Sequence, residues 1–330
     1  MEGKRIFYLD FVRVVALFCI IWCHTNVIEY NSYLLEKVKW FFGKCGVPLF
    51  FIVSGYLTFP LNKLLERYAI GKIKRIVLPF FVWVVIYAVI AYAQRQPLCV
   101  NGDILNEDSA HLWFIYVIIG LYLIAPIIDP FFRIAKRSVL RFYLILWICT
   151  GTFPLLQYST SSTFNEHNWM YTLYHFYGYT GYFVLGYYLK KYSNCTRLLD
   201  LKVSITFIAT SVSLMGIYFF VFDCSTVLVS DYKGLPIILY SIAMFSILKK
   251  LSVYIEHTRL YSPITSLSVY SFGIYLIHMM IIKFVYPFIP IVAEIPDLIT
   301  TTVFVIVNIG ISYTIVYILS KFRYSHYIFG

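Results

Sequence analysis

Asp10, Arg13 and His24 sit in one apolar run near the start of the chain, and together they could move a proton. A charge at bilayer depth costs about 2.5–3.5 kcal/mol even on a lenient insertion scale, so each such residue asks for a reason. Asp10 and Arg13 are helix neighbours at i,i+3 and can pair. Arg13 and His24 are eleven positions apart. At about 100° per residue that spacing returns to within roughly 20° of one helix face, about 16 Å further along the axis. One face would carry an acid–base pair near one end and an imidazole near the other. Imidazole has an unperturbed pKa of about 6.5, so it takes and returns a proton near neutrality. A structural ion pair with an interfacial His is the plainer alternative.

Other residues invite the same question. His278 follows Tyr275 at i+3, so ring and hydroxyl share a helix face, and a functional and a structural reading weigh equally. His111 precedes Trp113-Phe114 at a helix start, and His167 falls in a loop. His175 in an aromatic helix reads as packed, and His257 and His326 as solvated loop residues. Ser54-Gly55 puts a hydroxyl beside a glycine inside an apolar run. Glycine there permits close approach of another helix or of a ligand. Ser54 has no neighbouring His in sequence, so a serine nucleophile is unsupported. Lys72-Ile73-Lys74-Arg75 sets three cations at a helix start, either as a topology anchor or as a phosphate site. The seven Cys show no metal spacing, and Cys19, Cys23 and Cys149 read as free thiols in apolar runs.

The elements that must hold these residues are membrane helices. Of 330 residues 60% are hydrophobic and only 13% charged. Soluble chains carry about 25% charged residues, so a soluble enzyme, a disordered protein and a disulfide scaffold are excluded. A spanning helix needs roughly 20 apolar residues. Ten runs qualify: Ile6–Ile28, Lys44–Phe59, Ile76–Ala93, Leu112–Phe132, Phe142–Tyr158, Met170–Leu189, Val203–Phe222, Leu235–Leu248, Ser266–Phe288 and Leu298–Ser320. The second and eighth are short, which suits a re-entrant or tilted path. The runs lack the strict alternation of a barrel and are too long for its strands. The fold class expected is an all-α polytopic bundle of about ten helices.

Charge sorting orients it. With the N-terminus inside, 20 of the 27 Lys and Arg fall on the inner side and six on the outer, with Arg13 in the first helix. That bias predicts cytoplasmic termini. It also explains the net charge of +11 without nucleic acid. Lys4-Arg5 before an apolar run suggests a signal peptide, but Asp10 and Arg13 interrupt the run and no small-residue cleavage site follows. The run reads as an uncleaved helix. The longest polar loops, near Arg95–Ala110 and Ser159–Asn168, fall outside, and no soluble domain or internal repeat is visible.

In order along the chain, these segments resemble the acyltransferase 3 family of integral-membrane acyltransferases. The segments are Arg5-x-x-x-Leu9-Asp10-x-x-Arg13-x-x-Ala16 with His24, and Val47-Pro48-Leu49-Phe50-Phe51-Ile52-Val53-Ser54-Gly55-Tyr56. They continue with Lys72-Ile73-Lys74-Arg75-Ile76 before Pro79, and His111-Leu112-Trp113-Phe114 with Tyr122-Leu123 and Pro126. The last is Ser271-Phe272-Gly273-Ile274-Tyr275-Leu276-Ile277-His278. Lys72 stands where the family has the first Arg of a pair, a point charge in place of a rigid fork. The chain resembles the short, stand-alone members, with one membrane acyltransferase domain over 1–330.

The resemblance implies transfer of an acyl group, usually acetyl, from cytoplasmic acyl-CoA to a sugar hydroxyl. The acceptor would be a bacterial surface polysaccharide or lipid-linked glycan, and the location the cytoplasmic membrane. His24 would be the base, and Arg13 held by Asp10 would stabilise charge or position the donor. Lys72 and Arg75 would hold CoA phosphates. Ser54, Trp113, Tyr275 and His278 would line the acceptor pocket. No metal and no permanently bound cofactor are expected, and the partners are acyl-CoA, glycan and membrane lipid. Direct transfer and an acyl-His intermediate both fit. Two other classes remain: a glycan transporter or flippase, which polar groups at depth would also serve, and a non-catalytic subunit of a glycan-assembly complex.

Overall fold

The computed structural model describes residues 5–25, 39–62, 64–95, 109–152, 176–220, 231–285 and 297–330. No strand occurs among the described residues. In chain order the helices are α1 (Phe7–His24), α2 (Gly46–Thr58), α3 (Leu65–Lys72), α4 (Leu78–Ala93), α5 (Trp113–Ile134) and α6 (Arg137–Thr150). They continue with α7 (Thr180–Lys191), α8 (Leu201–Phe220), α9 (Leu235–Ile255), α10 (Tyr261–Val285), α11 (Asp297–Leu319) and the short α12 (His326–Phe329).

Seven stretches are long and apolar enough to cross a bilayer: Phe7–His24, Lys39–Thr58, Leu65–Ala93, Ala110–Ile134, Leu235–Ile255, Tyr261–Phe284 and Leu298–Leu319. The chain is a multi-pass membrane protein. The other three runs fall at α6, α7 and α8, and each extends into residues outside those described. The two runs that read as short are full length. The second begins at Lys39, with a turn at residues 44 and 45, and spans 20 residues. The eighth continues through Lys249 and Lys250 to Ile255 and spans 21. Lysines hid both ends. A long aliphatic stem lets Lys extend an apolar helix while its ammonium finds a polar or aromatic partner, as Lys249 does 5.2 Å from the Tyr8 ring. Neither run needs a re-entrant path.

The chain divides into two compact units. The first comprises Met1–Ile20, Ser32–Pro60 and Ile128–Thr265. Backbone contact and side-chain donors both hold it, with Tyr187 on α7 donating to the Phe132 carbonyl at 2.8 Å and Lys190 to that of Phe59 at 2.6 Å. A Cβ on Gly55 would lie 1.9 Å from the Phe183 carbonyl oxygen, and one on Gly186 would lie 2.0 Å from that of Ile52. So α2 and α7 cross with nothing between them, the small-residue contact expected where no hydrophobic drive acts between helices. At Gly55 the close approach is that of another helix. Phe59 is buried beside the rings of Phe132, Phe183 and Tyr187 at 4.8, 5.1 and 5.7 Å.

The second unit comprises Ile21–Asn31, Leu61–Ile127 and Ser266–Gly330. Side-chain donors tie its helices. Tyr87 on α4 donates to the Leu276 carbonyl on α10 at 2.9 Å, and Asn308 on α11 donates to the His278 carbonyl at 3.0 Å. Trp83 on α4 donates to the Ile328 carbonyl on α12 at 2.8 Å. Between α3 and α4 the ladder widens into a π turn, Ile73–Val77. Pro79 follows at the start of α4. Its ring would clash with the carbonyl four residues back and it offers no N–H, and a widened turn relieves that clash.

Candidate active site

In the second unit three histidines from distant parts of the sequence come together. His278 faces inward from α10 and is fully buried. His111, buried at 2% exposure, sits in the single 3₁₀ turn Ala110–Leu112 that leads into α5. His24, half-buried, is the last residue of α1. Ring centroids are 5.0 Å apart for His111 and His278, 5.5 Å for His24 and His278, and 6.4 Å for His24 and His111. Tyr87 and Tyr275 pack on His111 at 5.3 and 5.6 Å.

Local structure fixes the orientation of His278. Its Nδ1 lies 2.6 Å from the carbonyl oxygen of Tyr275, one turn back on α10. A carbonyl only accepts, so Nδ1 carries the proton. In the neutral ring Nε2 is then a lone-pair acceptor. That Nε2 is buried and has no hydrogen-bond partner among the described residues. An unsatisfied buried polar atom costs on the order of 1–3 kcal/mol, so a natural fold rarely keeps one without use. The backbone of His278 is pinned as well. Asn308 Nδ2 donates to its carbonyl, and the Ser312 hydroxyl donates to Asn308 Oδ1 at 3.0 Å. Tyr275, the i−3 neighbour, donates through its hydroxyl to the His111 carbonyl. One tyrosine thus anchors α10 to the turn that carries the second histidine.

The other sequence-predicted residues divide between the two units. Asp10, Arg13 and Ser54 belong to the first unit. Asp10 is buried, and its close partner is Arg5, with Nε 2.5 Å from Oδ2. Arg13 Nη1 stands 3.9 Å from Oδ1. The i,i+3 pair therefore exists but is loose. Arg5, outside the helix, reaches back, and it also donates to the Thr265 carbonyl at 2.6 Å. Ser54 is half-buried beside the glycine crossing.

Lys72, Arg75 and Trp113 lie in the second unit with the histidines. Lys72 Nζ sits 3.3 Å from the Tyr122 ring centroid and 5.6 Å from that of Tyr68. Tyr68 donates to the Tyr122 carbonyl at 3.0 Å, which holds this aromatic cradle together. Arg75, in the π turn, is exposed. The two cations share a segment but meet different surroundings. Trp113 is half-buried at the first position of α5, two residues after His111. His167 and His175 lie outside the described residues, as do most of the two long polar loops.

Sequence reading missed Arg5 as the partner of Asp10, and it missed Asn308 and Tyr87 altogether. Asn308 did leave a signal, as the only Asn in the last apolar run, four residues before Ser312. No group of three or more His, Cys, Asp or Glu among the described residues is arranged to hold a metal ion. What the cluster offers is proton chemistry in a buried setting, with one fixed acceptor and a second, partly accessible imidazole beside it.

A family model described as an acyltransferase domain, that of the acyltransferase 3 family, matches residues 6–320. It spans both units. No curated protein and no solved structure matches the chain.

Proposed function

The chain belongs to the acyltransferase 3 family, and from that premise we propose that it transfers an acetyl group from cytoplasmic acetyl-CoA to a hydroxyl of a bacterial surface polysaccharide or lipid-linked glycan. The observation that carries this reading is the histidine cluster, with its buried acceptor nitrogen on His278. Oxygen nucleophiles need a base, and imidazole is matched to that task near neutrality.

His24 is the base. It removes the proton from the acceptor hydroxyl as the oxygen attacks the thioester carbonyl. The carbon–sulfur bond then breaks, and the thiolate leaves and takes up a proton as CoA. His278 Nε2 orients the acceptor by receiving a hydrogen bond from the sugar. The tautomer needed for that role is the one its Nδ1 contact dictates. Tyr275 and Trp113 shape the pocket around it, and Ser54 is left to helix packing. Arg13 and Asp10 serve the donor, with Arg5 as the residue that secures Asp10. Lys72 and Arg75 attract CoA phosphates. Arg75 is the better placed of the two, because the Lys72 ammonium already rests on an aromatic ring. The excess of cations on one side supports cytoplasmic termini and a location in the bacterial inner membrane.

The test uses the whole protein in lipid nanodiscs with acetyl-CoA and a glycan fraction from cells lacking the gene. Acceptor-dependent release of CoA thiol, with a gain of one acetyl mass on the glycan, is the expected result. Folded protein that releases no thiol, together with an unchanged glycan mass profile on gene deletion, would overturn the proposal in favour of a transporter or assembly subunit.

A further inference from the structure

In the first unit, a cavity of about 530 Å³ opens between α6, the end of α7, the turn Arg197–Leu199 and the start of α8. Arg137, Arg141 and Arg197 line it. Nothing in the acyl-transfer reading uses them. Arg137 and Arg141 are i,i+4 on α6, a spacing at which like charges oppose helix formation. A third guanidinium nearby adds to that repulsion. None of the three has a carboxylate within ion-pair distance among the described residues. Asp200, in the adjoining turn, accepts the backbone N–H of Lys202 at 3.3 Å and does not line the cavity.

Arg137 is nevertheless held in place. Its Nε donates to the Tyr188 hydroxyl at 3.3 Å, and a terminal nitrogen donates to the Cys195 carbonyl. Both partners are neutral, so the guanidinium is oriented without being discharged. Thr196 caps the turn by accepting the Leu198 N–H at 3.3 Å, which fixes the backbone that carries Arg197. Three cations around one space, one of them held in place and none with a carboxylate partner among the described residues, call for an anion.

The rest of the wall says which anion. Leu144, Ile145 and Ile148 continue the same face of α6 away from the arginines. Positions 137, 141, 144, 145 and 148 follow the i, i+4, i+7, i+8, i+11 pattern of one helix face. That face passes from cationic to apolar within about 16 Å. Ile145 is 54% exposed and Phe142, on the same helix, 64%, as residues that meet acyl chains should be. A free anion has no use for an apolar wall, whereas a phosphate joined to a hydrocarbon chain fits both ends. Arginine is suited to phosphate through its planar fork, and basic pockets beside membrane helices take anionic headgroups.

We infer that this cavity binds an anionic glycerophospholipid, its phosphate among Arg137, Arg141 and Arg197 and one acyl chain along Leu144, Ile145 and Ile148. By the charge bias of the chain this end faces the cytoplasmic leaflet. The cavity belongs to the first unit and the histidine cluster to the second, and lipid binding here does not depend on acyl transfer. The phosphate chemistry is shared with CoA and with inorganic phosphate, so the test must separate the sources.

Full-length protein is purified and offered phosphatidylglycerol or phosphatidylcholine in mixed micelles, and bound lipid is counted by native mass spectrometry. Wild type should retain phosphatidylglycerol in preference to phosphatidylcholine. The double variant Arg141→Gln/Arg197→Gln should lose at least tenfold of that retention. Arg141→Lys, which keeps charge but not the fork, should fall between. Neither Arg141 nor Arg197 makes a side-chain hydrogen bond among the described residues, so the double variant should keep its gel-filtration profile and its melting temperature without lipid. Equal retention by wild type and the double variant overturns the inference. Displacement of the lipid by CoA at equal concentration also overturns it and makes the cavity a donor site. Displacement by inorganic phosphate at equal concentration overturns it in favour of a free anion.

Discussion

Both units tie their helices with side-chain donors to main-chain carbonyls, as Tyr182, Tyr187 and Lys190 do in the first, but they differ in how closely their helix backbones meet. In the first, α2 and α7 meet through Gly55 and Gly186, backbone against backbone. In the second, α4, α10 and α11 are tied by Tyr87, Tyr275 and Asn308, each donating to a main-chain carbonyl. A glycine crossing gives the surface it covers to backbone contact. Polar ties bring hydroxyls, amides and rings to depth, and the geometry that satisfies most of them leaves His278 Nε2 in reserve. The histidine cluster belongs to the second unit and the glycine crossing to the first.

Breaking the glycine crossing should have the largest effect. Gly55→Leu places a side chain where even a Cβ lies 1.9 Å from a carbonyl oxygen. Overpacking typically costs about 1–3 kcal/mol, and a backbone obstacle belongs at or beyond the top of that range. Monodisperse protein should be lost, as read by fluorescence-detected gel filtration, while Ser54→Ala next door should assemble and keep activity. Normal assembly of Gly55→Leu would show that α2 and α7 do not meet as described.

The polar unit should respond in activity rather than assembly. His24→Ala should lower acyl transfer by about 10²–10⁴-fold, the span of a general base, at unchanged protein yield. His278→Ala should mainly raise KM for the acceptor, because its role is orientation. It also removes a buried ring and its hydrogen bond to the Tyr275 carbonyl, so the kinetics are compared at matched amounts of folded protein. Steady-state kinetics with varied acceptor separates the two. A pure kcat loss in His278→Ala, with KM unmoved, would exchange the roles of the two rings.

Asn308→Ala sharpens the comparison. Interhelical hydrogen bonds in membranes average about 0.6 kcal/mol, so the loss of stability should be small. The His278 carbonyl loses its partner, and a several-fold loss of activity should accompany a melting temperature lowered by only a few degrees. The smallest effect belongs to the cations near the π turn. Arg75→Ala should weaken acetyl-CoA binding several-fold and reduce its salt dependence, whereas Lys72→Ala should do less. Titration of CoA at two ionic strengths tests the order.

The sequence made the helices legible because an apolar run of about 20 residues has few other uses. It blurred their ends at Lys39 and Lys249, where charge suggests a boundary and the aliphatic stem permits continuation. Tyr275 and His278 were readable as a pair because i,i+3 is a local relation. The cluster was not. Residues 24, 111 and 278 meet only through tertiary packing, and no spacing rule connects a 3₁₀ turn to two helices. Spacing found one of the two partners of Asp10. Arg13 pairs with it at i,i+3 as expected, and Arg5, free of helical geometry before α1, reaches the carboxylate more closely.

The π turn at Ile73–Val77 sets a rule for spacing. A π turn holds one residue more than an α turn over the same stretch, so α3 and α4 are joined out of ordinary register. Closing this ladder as ordinary α-helix with every residue kept would rotate everything before it by about 100°, the turn of one residue. Lys72 would swing off the face of Tyr122, and Tyr68 would leave its carbonyl partner. The distance in sequence from Lys72 to Pro79 is therefore a mechanical setting, and chains that share this joint should vary in the residues within it more readily than in their number.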